Sequence, residues 1–207
     1  FKETIRINTL DYELYRDMQQ KIIDVLDTAE YVEITGKGEN QTNMQVQLAA
    51  ISNPEKQTKF ENCVADVNIP LGEVFTSPKL AGTNGILNVG TVYIGDIQYR
   101  NLRMEFKDGR VVSAVCDNFV ENGVIDQEAG HRLIVQGIMN GHETLPLGEF
   151  AIGTNTTAYA MAEKFGILDR LPILIVEKMG PHFAVGDTCY SWSEDSHFTY
   201  LTCGPLG

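Results

Sequence analysis

GILNVGTVYIGDIQYRNLRMEFKDGRVVSAVCDN, residues 85–118, divides into GILNVGTVYIG, IQYRNLRMEF and GRVVSAVCDN, with breaks at Gly95-Asp96 and Asp108-Gly109. Asp-Gly supplies the positive φ values that a two-residue turn needs to match the twist of its flanking strands. The stretch therefore predicts an antiparallel meander. Upstream, AEYVEITGKG (29–38) alternates Tyr31, Glu33 and Thr35 against Val32 and Ile34 and stops at glycines, and NMQVQLAAI (43–51) alternates in the same way. Both predict strands. Residues 54–62 lack periodicity and predict a polar loop.

Helices flank this β-rich centre. Leu14, Tyr15, Met18, Ile22, Val25 and Leu26 recur at threes and fours and predict a core-facing helix over 11–27. Leu133, Ile134, Ile138 and Met139 fit a short helix within 127–139, and 159–168 fits another that closes near Gly166. LPILIVEKMG (171–180) is a continuous apolar run and predicts a buried strand leading to His182. Beyond Tyr190 no period survives, so residues 191–207 predict an irregular tail. The fold class is α+β: a curved, mostly antiparallel sheet or open barrel flanked by helices, with a site at the loops that close one end.

With 207 residues, 43% of them hydrophobic, the chain can bury a core without disulfides. A formal charge of −12 and a pI near 4.7 argue against nucleic acid or an anionic membrane as partner and favour metal cations. Cys63, Cys116, Cys189 and Cys203 form no CxxC pair, which argues against a structural zinc knot and for reduced thiols in a cytoplasmic protein. No apolar run reaches bilayer length and the start does not read as a signal peptide. The chain opens on Phe1, as a processed product or a piece of something longer would.

Pro-Leu-Gly-Glu occurs twice, at Pro70 and at Pro146, each time before an apolar residue. Proline and glycine two apart mark a tight turn, and the residue leaving it is held stiffly. Here that residue is Glu73 or Glu149, and a carboxylate on a rigid turn suits metal binding or acid/base work; the plainer reading is a solvated surface charge. With His182 of GPHFAVGDTCYS the two glutamates make an oxygen-and-nitrogen set suited to zinc, cobalt or manganese. His131 and His142, beside the helix of 127–139, read as structural, and Asp11 and Asp126 as helix caps or solvated charges.

NIPLGEVFTSP, LGEFAIGTNTTA and HFAVGDTCY, in this order, resemble the thermophilic metalloaminopeptidase family, the aminopeptidase T and aminopeptidase S group of leucyl aminopeptidases. MEFKDGRVVSAVCDN also matches the strand pair between the first two motifs. The resemblance covers residues 29–190 and implies a metallopeptidase catalytic domain there. Residues 1–28 would then be a helical segment from the end of a largely missing N-terminal domain. It further implies two divalent ions (Zn, Co, Mn or Mg), a peptide substrate and a homodimer. Glu73 would ligate one metal, Glu149 would bridge both and serve catalysis, and His182 would be a further ligand.

Tyr190 matches, one place shifted, the family tyrosine that steadies the tetrahedral intermediate. The family's closing His-x-Asp ligand pair is not evident: Thr199 stands two beyond His197, and a hydroxyl brings no charge to balance a dication. Either the motif is degenerate or the chain ends before it. The resemblance thus implies a two-metal aminopeptidase or, alternatively, a catalytically incomplete fragment acting as a structural or dimerisation module.

Overall fold

The computed structural model describes residues 2–64 and 70–186. Tyr190, His197, Thr199 and the expected tail at 191–207 lie outside the described residues. In chain order the elements are helices α1 (Lys2–Asn8) and α2 (Tyr12–Leu26), then strands β1 (Tyr31–Thr35), β2 (Asn43–Gln47), β3 (Glu61–Cys63) and β4 (Glu73–Thr76). The long strands β5 (Lys79–Ile94) and β6 (Ile97–Lys107) follow, with β7 (Arg110–Val115) and the short pair β8 (Val120–Glu121) and β9 (Val124–Ile125). Helix α3 (Gln127–Gly137), strand β10 (Leu147–Gly153), helix α4 (Thr156–Phe165), a 3-10 turn (Leu168–Arg170), the four-residue helix α5 (Ile173–Val176), a second 3-10 turn (Glu177–Met179) and strand β11 (Pro181–Val185) complete the described chain.

The meander forms where the sequence places it. Asp108 and Gly109 both have positive φ, 44° and 69°, between the paired residues Lys107 and Arg110. Gly95, at φ 60°, turns β5 into β6 between the partners Ile94 and Ile97. These strands belong to a five-stranded sheet of order β1-β2-β5-β6-β7, and a second sheet has the order β11-β10-β4-β3. The pairings described are all antiparallel. The fold is α+β, as expected, but the curved sheet is two sheets packed together, and no barrel closes.

One core joins them. Leu102, Met104 and Phe106 alternate inward from β6, and Val74 and Phe150 face them from the second sheet. Phe60 packs edge-on against Phe150 at 6.1 Å, and Phe150 lies 5.4 Å from Phe183. An aromatic row of this kind fixes both the spacing and the slide of the sheet.

Two expectations are corrected. In α2 the buried residues are Tyr15, Gln19 and Ile23, whereas Leu14, Met18 and Val25 face outward. A polar residue takes the inner face because the Gln19 amide is satisfied there: it donates to Asn62 Oδ1 and to Cys63 O and accepts from Thr154 Oγ1. The run 171–180 is a short helix and a 3-10 turn, and the strand begins only at Pro181. Pro172, at φ −58°, leads the chain into the helical turn, and Leu174 remains 60% exposed, so the doubly buried environment of a central strand is absent.

Candidate functional site

Successive residues of a strand point to opposite faces of its sheet. In the second sheet, Val74, Phe150, Ile152 and Phe183 face the core, so Glu73, Ala151, Gly153 and His182 face the other way. Glu149, two residues before Ala151, lies on that same face by simple alternation. A register shift between Leu147 and Glu149 reverses the side of Leu147: without it the two residues would share a side, and with it Leu147 is fully buried in the core while Glu149 stays beside Glu73 and His182. Bulges of this kind re-aim side chains next to functional sites.

The two Pro-Leu-Gly-Glu copies are therefore not equivalent. The first is a turn, with Gly72 at φ 116°, that launches β4 at Glu73. The second lies at the irregular start of β10, and Glu149 is a residue within the strand. The first turn is pinned by Asn155, a buried side chain that donates to Leu71 O at 3.0 Å while capping α4 through Ala158 N. Thr154 N donates to Gly72 O at 2.7 Å.

His182 Nε2 lies 3.2 Å from Glu73 Oε2 and 3.5 Å from Glu149 Oε1. The other ring nitrogen, Nδ1, is 3.1 Å from Gly180 O, a carbonyl that can only accept, so Nδ1 carries a hydrogen and Nε2 is the atom aimed between the carboxylates. Lys178 Nζ lies 2.5 Å from Glu73 Oε1 and 3.0 Å from Glu177 Oε1. Glu73 and Lys178 are almost wholly buried, His182 is largely buried, and Glu149 is the open member.

These contacts set the charges. Burial would raise the Glu73 carboxyl, but hydrogen bonds from His182 and Lys178 outweigh it and bring the pKa down to about 2. Burial would lower the His182 imidazole, but its bonds to Glu149 and Glu73 raise it to about 9. Lys178 is likewise raised, since its two carboxylate partners outweigh burial. Cys63, the register partner of Glu73 on β3, is pushed up to about 12 by burial and then by the Glu73 charge and hydrogen bond.

Two carboxylates and an imidazole match the donor preferences of zinc and its neighbours. Donors sharing a tetrahedral ion at bonds of about 2.0–2.1 Å stand about 3.3 Å apart, and the two His182 separations fit that spacing. The Nδ1 contact to a backbone carbonyl is the usual support of a metal-ligating histidine. Among the described residues, no three histidine, cysteine or acidic side chains close into a complete metal-holding group. The set thus fits a dication in kind and in two of its edges, with a proton on His182 and the ammonium of Lys178 now balancing the carboxylates.

The structure brings together Glu73, Glu149 and His182, and adds Lys178, Glu177 and Cys63, which the sequence reading passes over. Glu177-Lys178 was the legible signal: a charged pair ending an apolar run, four residues before the histidine. His131 serves structure, with Nδ1 2.9 Å from Ala114 O and Nε2 3.2 Å from Glu143.

A family model described as Thermophilic metalloprotease (M29) matches residues 9–194. No curated protein matches. Among solved structures, the chain is similar to wild-type AmpT from Thermus thermophilus, with a TM-score of 0.56 and 16% identity, over 92% of this chain and 47% of that one. At that identity the likeness speaks for the fold, and this chain spans about half the length of the protein it matches.

Proposed function

Because the chain belongs to the thermophilic metalloprotease (M29) family, we propose that it carries the site of a metal-dependent aminopeptidase, which hydrolyses the N-terminal residue of a peptide. The observation that carries this reading is the convergence of Glu73, Glu149 and His182 on one sheet face. When bound there, one or two divalent ions (Zn, Co, Mn or Mg) would polarise the scissile carbonyl and lower the pKa of the attacking water. Glu73, ionised far below neutrality, and His182 through Nε2 would hold the metal.

Glu149 is the more open carboxylate and so the one placed to meet water. It would take the proton from the attacking water and pass it to the leaving amine. The carboxylates would also draw the free α-amino group of the substrate. Tyr190 would steady the oxyanion. The reading extends to a homodimer, supported by family resemblance, and to a cytoplasmic location, supported by cysteines read as reduced thiols. No helix among the described residues is long and apolar enough to cross a membrane.

The test is release of 4-nitroaniline from leucine 4-nitroanilide with added Co²⁺ or Zn²⁺, by this chain and by any longer chain that contains it. Turnover is expected, with Glu149→Gln slower by about 100-fold or more. Absence of turnover, or full turnover in Glu149→Gln, overturns the assignment. The incomplete cage among the described residues favours a second reading, a structural or dimerisation module with a residual site. Calorimetric titration separates the two: zinc binding lost in His182→Ala supports the first, and no binding by the wild type supports the second.

A further inference from the structure

Lys178 is 1% exposed at the centre of the site, and the proposed hydrolysis gives it no task. Its placement is built into the backbone. The 3-10 turn that carries it lies directly on Gly153, where a Cβ would come within 2.3 Å of Lys178 C and 2.4 Å of Glu177 O. Asn155 N donates to Lys178 O and Gly153 N to Gly180 O, each at 2.8 Å. Gly153 is the register partner of Glu73. The lysine side chain therefore starts beside Glu73 from a fixed origin, and its ammonium occupies Oε1 while Oε2 faces His182.

We propose that Lys178 is a positioning residue that commits Glu73 to a divalent cation through one oxygen only, an inference that rests on the metal-binding reading above. A carboxylate can grip a cation with one oxygen or with both. Here the second oxygen is held by an ammonium that has no route to water, so Oε2 alone is presented to the gap shared with His182 and Glu149. The same ammonium sets a positive charge near the cation, where burial leaves the repulsion poorly screened. The metal is thereby held less tightly than its donors alone would hold it.

The experiment titrates CoCl₂ into the chain and into Lys178→Met, a neutral side chain of similar length. Calorimetry gives the affinity, and the visible absorption of the cobalt-loaded chain gives the coordination. In Lys178→Met the Co²⁺ affinity is expected to rise about tenfold, the scale of a change just outside the ligand shell. The absorption per cobalt should fall as Glu73 adds its second oxygen, since higher coordination weakens these bands. A bare charge effect would change the affinity without moving that spectrum.

Glu177→Gln, a milder change, removes the negative charge of the ammonium's other partner, shifts Lys178 toward Glu73 and should lower the affinity by about fivefold. Unchanged affinity and spectrum in Lys178→Met overturn the inference while leaving the metal reading intact. Should that variant not fold, unchanged or increased affinity in Glu177→Gln overturns it instead. A wild type that binds no Co²⁺ removes the metal reading, and this inference with it.

Discussion

Gly153 lies beneath Lys178 so closely that a single methyl group cannot fit between them: the added Cβ would sit 2.3 Å from the Lys178 carbonyl carbon. Backbone of this kind cannot swing aside as a flexible side chain would. In Gly153→Ala the turn over residues 177–179 must lift, carrying Lys178 away from Glu73 and straining the Gly153 N to Gly180 O bond. A loss of about 1–3 kcal/mol in stability is expected, typical of overpacking. Urea unfolding checks it, and calorimetry should show altered metal binding in the same variant; wild-type values in both would mean the turn is free to move.

Glu73 and Glu149 differ in cost of removal although both are proposed ligands. Glu73→Gln leaves the buried Lys178 ammonium without its closest charge, and breaking a buried pair in this way costs about 3–5 kcal/mol. Glu149 is half-buried and the most open of the set, and Glu149→Gln should change stability by less than about 1 kcal/mol. Both should weaken metal binding. Chemical denaturation separates the two variants; equal destabilisation would mean that Lys178 does not depend on Glu73.

The meander was legible because its turn chemistry is local: Asp108-Gly109 needs two positive φ angles, and nothing distant alters that. Asn122-Gly123, at φ 52° and 79°, turns β8 into β9 by the same chemistry and could have been read equally well. The convergence of Glu73, Glu149 and His182 was legible as motif. What the motif hid is that Leu147, two residues before Glu149, turns to the core, because that reversal comes from the register shift between them, and a shift is set by pairing across strands. Gln19 on the inner face of α2 was illegible for a related reason, since its partners Asn62, Cys63 and Thr154 come from remote parts of the chain. Pro172 turned an apolar run that reads as strand into helix, a case where tertiary packing left Leu174 in solvent.

Cys63 should resist alkylation. Its thiol is wholly buried, and with a pKa near 12 only about one part in ten thousand is thiolate at pH 8. Iodoacetamide at pH 8 followed by peptide mass mapping is expected to leave Cys63 unmodified in the folded chain and to label it fully in urea. Rapid labelling of the folded chain would show that the site opens easily.

Stability should peak in mildly acidic solution. The Glu73 pKa falls from 4.5 to about 2 on folding, so its contribution is fully present above about pH 4.5 and is lost as the pH falls toward 2. The His182 pKa rises from 6.5 to about 9, so its contribution is complete below about pH 6.5 and is lost as the pH climbs through 9. Metal-free chain should therefore show its highest urea midpoint between about pH 4.5 and 6.5, with a decline on each side. Metal binding runs opposite on the alkaline side, because a dication must displace the proton from His182 Nε2, so affinity should increase from pH 6.5 to 9. His182→Ala should flatten the alkaline decline, and an equally steep decline in that variant would assign it to another group.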